Sequence, residues 1–71
     1  MPRFYFHVIE VASDRTFRDD AGEAFAGREA AMAHAAMMLH ELTAEFEEGS
    51  AFCIDVMNEH GQSIGVIASR A

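Results

Sequence analysis

The feature that most restricts this chain is a change of hydrophobic period, from two to 3.6 and back to two, within 71 residues. Residues Arg3 to Val11 are aromatic and β-branched. Their alternation places Phe4, Phe6 and Val8 on one face and Tyr5, His7 and Ile9 on the other. Ala12-Ser13-Asp14 turns the chain into a short second strand expected around Thr16-Phe17-Arg18. Alternation returns from Ala51 to Met57, with Phe52, Ile54 and Val56 inward and Cys53, Asp55 and Met57 outward. Ser63 to Ala68 follows, with Ile64, Val66 and Ala68 expected inward.

Between these strands the spacing predicts a helix from Arg28 to Glu48, with Gly27 as N-cap, Glu29 in the first turn and Gly49 as the C′ residue. At 100° per residue, Ala31, Ala35, Met38, Leu39, Leu42 and Phe46 share one face. That stripe is small at its start and bulky at its end, so the helix should lie closest to the sheet near Ala31. The expected fold is α+β: a two-layer β-β-α-β-β sandwich, one long helix on a four-stranded, mostly antiparallel sheet. It is read as a single domain over residues 1–71, with Phe4, Phe6, Leu39, Leu42, Ile54 and Val66 sharing the interior.

Two turns read alike. Asp19-Asp20-Ala21-Gly22-Glu23 and Asn58-Glu59-His60-Gly61-Gln62 both place glycine fourth, which suits a type I turn followed by a residue at positive φ. Both have the geometry of a hairpin turn, Asn58 to Gly61 is expected to close the second hairpin, and turn chemistry accounts for the likeness better than internal duplication.

The opening Pro2-Arg3-Phe4-Tyr5-Phe6-His7-Val8, the turn from Asp19 to Gly22, the Ala-rich helix and the turn from Asn58 to Gly61 go together. In that combination the chain resembles a family of short uncharacterised proteobacterial proteins. These open with a Pro-Arg-Tyr-Phe-Phe-His-like strand and end in an Asp/Asn-x-x-Gly hairpin. The chain departs from that pattern at Ala12-Ser13, where a glycine-bearing loop is usual, and in its short tail. The resemblance implies a domain of unknown function with no assigned catalytic residues. The layout is also similar to the small sheet-plus-helix antitoxins of the HicB type, although no DNA-binding segment follows the sheet.

Charge narrows the partners. Twelve acids against five arginines give a net charge of −7, a field that repels phosphate backbones and anionic membranes. Neither nucleic acid nor membrane is an expected partner. The longest uncharged stretch, Ala30 to His40, is too short to span a bilayer, and Arg3 to Val11 does not read as a signal peptide. The single Cys53 cannot form an internal disulfide. A cytoplasmic location is expected.

Of the four histidines, His34 and His40 lie about 120° apart around the helix and lack ligating neighbours at i±3 or i±4. Surface or edge histidines are expected, with no metal and no other cofactor. His7, Tyr5 and Asp55 fall on the sheet face opposite the helix, where an imidazole–carboxylate pair would form if the first and third strands are neighbours. An open sheet face neither excludes water nor supplies a nucleophile or oxyanion donor, so a structural or interface pair is expected there and no enzyme activity. Cys53 reads as a small half-buried filler. Asp19, Asp20 and Glu23 miss the calcium-loop spacing. Glu41, Glu45, Glu47 and Glu48 crowd the negative end of the helix dipole, a conflict that Arg3, Arg70 or a basic partner would relieve.

The leading functional expectation is a non-enzymatic interaction module that forms a homo-oligomer or binds another protein. Tyr5, His7, Ile9, Asp55, Met57 and Ile67 on the outer sheet face are one candidate surface. A seam of Ala30, Ala33, Met37, His40 and Ala44 along the back of the helix is the other, although ordinary solvated alanine is the better account of it. The alternatives are an antitoxin-like or regulatory partner of a basic protein, and a small-molecule-binding domain around His7.

Overall fold

A computed structural model describes residues 1–45 and 51–69. The expected helix end at 46–48, Phe46, the Gly49 cap and Arg70 lie outside the described residues. The elements run β1 (Arg3–Glu10), β2 (Arg15–Phe17), β3 (Glu23–Ala24), α1 (Arg28–Glu45), β4 (Phe52–Asn58) and β5 (Ser63–Ala68). One sheet has the order β2-β1-β4-β5, with β3 also paired to β1, and every pairing is antiparallel. The helix covers one face, so the fold is the expected α+β sandwich.

The core follows from the alternation. Phe4, Phe6, Ile54 and Val56 from β1 and β4 are buried against Ala31 and Ala35 of α1. Both alanines have no exposed surface, so helix and sheet meet through single methyl groups and any larger side chain there would push the layers apart. Val8, Phe25, Met38, Leu39 and Leu42 pack around that centre. The helix begins where expected: the Ala31 N–H donates to the Gly27 carbonyl at 3.1 Å.

Two expectations are corrected. The sheet has five strands, because the Asp19–Gly22 turn closes no hairpin. β2 pairs with Val8 to Glu10 of β1, and β3 pairs with Arg3 and Phe4. Since β4 occupies the other side of β1 throughout, β2 and β3 are two pieces of one interrupted edge strand. The turn is the interruption.

The second correction concerns β5. Val56 opposes Gly65 and Met57 opposes Ser63, which leaves Ile64 as an extra residue in a bulge. The extra residue inverts the phase of everything after it. Ile67 therefore packs against the core, while Val66 is 60% exposed. Val66 does not join the interior, and Ile67 does not belong to the outer face.

Candidate functional site

The outer face of the sheet is assembled by the β1–β4 register. Tyr5 stands opposite Met57, His7 opposite Asp55 and Ile9 opposite Cys53. All six are half-buried, although no helix lies over them. Part of their cover comes from the loop between β2 and β3. Gly22 at φ 67° sits so close that an added Cβ would lie 2.8 Å from the Tyr5 ring and 2.7 Å from the Phe4 carbonyl oxygen. Only glycine fits both that backbone conformation and that gap.

His7 and Asp55 are cross-strand neighbours, yet each holds a different partner. The Asp55 carboxylate accepts from the Ser63 hydroxyl at 2.6 Å. The His7 Nδ1 accepts the Asp19 backbone N–H at 3.1 Å, an arrangement that requires the ring proton to sit on Nε2. Both groups therefore fix local structure: Asp55 ties β4 to the start of β5, and His7 seats the β2–β3 loop on the sheet.

Asp19 is the centre of that loop, a role that its turn motif alone does not signal. One carboxylate oxygen, Oδ2, accepts the Phe6 N–H at 3.1 Å. The other, Oδ1, accepts from Gly22 at 3.0 Å and Ala21 at 3.3 Å. The Phe6 N–H belongs to the stretch of β1 between the β2 and β3 pairings, so the side chain substitutes for the missing strand. Partial burial pushes the Asp19 pKa up. The hydrogen bonds from Gly22, Phe6 and Ala21, in that order, outweigh burial and hold the carboxyl below its usual value. The Arg3 guanidinium donates to the Ala21 carbonyl at 3.0 Å, which places Arg3 at this loop and away from the helix C-terminus.

The Asn58–Gly61 turn closes the β4–β5 hairpin as expected. Its Asn58 Oδ1 accepts from His60 at 2.9 Å and Gln62 at 3.0 Å, and Gly61 takes φ 77°. The two turns flank a shallow depression of about 300 Å³ floored by Tyr5, His7 and Met57. Arg18 and Asp20 at its rim approach to 4.0 Å, but both are so exposed that the pair contributes little.

The other histidines are scattered. His34 is half-buried, edge-on to Phe6 with centroids 5.0 Å apart and 4.9 Å from Phe25, and fills space at the β1 side of the helix. His40 and His60 are exposed. Among the described residues, no three His, Cys, Asp or Glu side chains converge to hold a metal ion. The helix seam of Ala30, Ala33, Met37, His40 and Ala44 is exposed along its length, with Met37 at 54%. Among the described residues no helix is long and apolar enough to cross a membrane.

A family model for a domain of unknown function, DUF6894, matches residues 3–69. No curated protein and no solved structure matches the chain.

Proposed function

Since the chain belongs to the DUF6894 family, whose description names no activity, we propose that it is a non-enzymatic protein-interaction module that self-associates. The observation that carries this reading is the one-sided sheet. Its helix covers a single face, and the other presents Tyr5, Ile9, Met57 and Val66 in place of the polar alternation of a fully wetted antiparallel sheet. The groups on that face with a catalytic appearance, His7 and Asp55, hold the loop and the hairpin. On this reading the protein acts in the bacterial cytoplasm. Sedimentation velocity from low to high micromolar concentration is expected to show a concentration-dependent dimer. A monomer throughout would remove the proposal.

A second reading has its own support. Glu41 and Glu45 form no ion pair among the described residues and sit in a chain of charge −7. A basic protein partner would relieve their repulsion. Co-purification of a small basic protein together with a monomeric isolated chain would favour it.

A further inference from the structure

We propose that the second copy docks through the β5 edge and the flank of α1 above it, so that two sheets join into one across a twofold axis. This rests on the self-association reading alone and places the contact at the sheet edge, away from the outer face.

The two edges of the sheet are treated differently. Natural proteins blunt an exposed edge with short strands, charged side chains, prolines or interruptions. The β2/β3 edge shows three of these. Its strands have three and two residues, Arg15 lies within it, and the Asp19 loop breaks it in the middle. β5 carries only a bulge, another such device, at its Ser63 end, and the stretch from Gly65 to Ala68 beyond it has none. The whole strand, Ser-Ile-Gly-Val-Ile-Ala, has no charge and no proline. Among the described residues no strand pairs with the side of β5 that faces away from β4. An open row of backbone donors and acceptors is a template for another strand.

Charge selects the occupant. Two molecules of charge −7 repel, so a twofold contact must use the least charged side. The flank of α1 over β5 is identified by Met32, whose side chain abuts Gly65, and by a groove of about 260 Å³ between Ala36, Leu39, His40, Thr43 and Ser69. Among the described residues its charges, Arg28 and Glu29, are opposite in sign and confined to the first turn; the Arg28 Nε donates to the Ile64 carbonyl. Glu41 lies two turns beyond His34 and Glu45 one turn further, which puts both on the opposite, β1 flank. A basic partner would be drawn there. The neutral side suits a copy of itself: antiparallel β5 strands are self-complementary, and the short side chains Ala36 and Thr43 let the two helices approach.

The test uses the full chain with Cys53→Ser as background. Nitroxide labels at Ala36→Cys should lie close across the dimer: Met32 abuts Gly65 and Ser69 borders the groove, so a twofold axis through the centre of β5 passes near Ala36, and helices in contact have axes about 10 Å apart. Stacking through the outer faces would separate the helices by three layers of about 10 Å, roughly 30 Å in all. Independently, Ala36→Glu with Thr43→Glu, both on exposed helix surface, should raise the dimer dissociation constant at least about tenfold by like-charge repulsion. The melting profile of the monomer should stay unchanged. A dimer with distant labels, or one indifferent to the two glutamates, overturns the edge geometry and leaves self-association standing. A monomer at every concentration overturns both.

Discussion

Replacing Asp19 by asparagine changes one oxygen to an amide nitrogen and almost nothing in shape, yet it is expected to cost about 2 kcal/mol. Asp19 uses both oxygens as acceptors, Oδ2 for Phe6 and Oδ1 for Ala21 and Gly22. Asparagine has one acceptor oxygen, so in either orientation its NH₂ group faces a backbone N–H. A buried donor deprived of its partner costs about 1–3 kcal/mol, and the surviving bonds lose their charge assistance. Part exposure of the site holds the sum near the middle of that range. In a domain of this size, about 2 kcal/mol corresponds to a fall in Tm of roughly 8–16 °C.

The mirror change tests the reasoning. Asn58 accepts through Oδ1 from His60 and Gln62 and donates through Nδ2 to the Gln62 side chain at 3.0 Å, near the surface. Asn58→Asp keeps the acceptor, and the Gln62 amide turns over to supply a donor, so the loss should stay below about 0.5 kcal/mol. Thermal unfolding by circular dichroism at neutral pH measures both, and amide exchange at Phe6 should accelerate only in Asp19→Asn. The pH dependence has a fixed sign. A carboxyl whose pKa is lowered on folding adds stability above its unfolded pKa, and this is lost as pH falls through the folded value. The gap between wild type and Asp19→Asn should therefore be full at neutral pH and close below about pH 4. Equal damage from the two variants would refute the two-oxygen account, as would an Asp19→Asn protein melting within about 2 °C of wild type.

Two further outcomes are expected. Gly22→Ala should cost well over about 2 kcal/mol, because positive φ is compounded by overlap with the Phe4 carbonyl. Gly61→Ala, at similar φ but facing open space, should cost only about 1 kcal/mol, so equal melting of the two variants would contradict the packing argument. Glu45→Lys should raise stability by about 0.5–1 kcal/mol at low salt, by reversing the i, i+4 repulsion with Glu41 and placing a cation toward the helix C-terminus. The gain should shrink in high salt, and a salt-independent change would point to a different cause.

Most of the fold was legible because two periods do not mimic each other. Phe4, Phe6, Phe52, Ile54 and Val56 are buried as their alternation requires, and Ala31 and Ala35 as the helical stripe requires. The failure at Val66 and Ile67 has one local cause. A bulge adds one residue and inverts a strand, and Ser-Ile-Gly-Val-Ile-Ala is apolar enough to satisfy either phase. Gly65 was the available sign, since glycine within a strand often marks a bulge or a close approach, here to Met32. β3 left no sign of its own. Two residues cannot show a period, and Glu23–Ala24 is a strand only because β1 offers a place to pair.

The two glycine-fourth turns show how much finer the sequence signal is than the motif. Read as Asx-x-x-Gly they are the same turn and predict the same hairpin. Read by donor and acceptor count they differ: an acid offers two acceptors and an amide offers one with a donor beside it. A hairpin supplies its own backbone partners, as Asn58 N–H does in bonding the Gln62 carbonyl at 2.8 Å, so its side chain need only close the loop. A break in an edge strand exposes a donor on the neighbouring strand as well as those of the loop, which calls for two acceptors. Asp19 meets that demand, and its identity as an acid is the trace of the interruption. The same interruption blunts one edge of the sheet. The other edge, β5, is not broken in this way, and that asymmetry carries the proposed edge-to-edge docking.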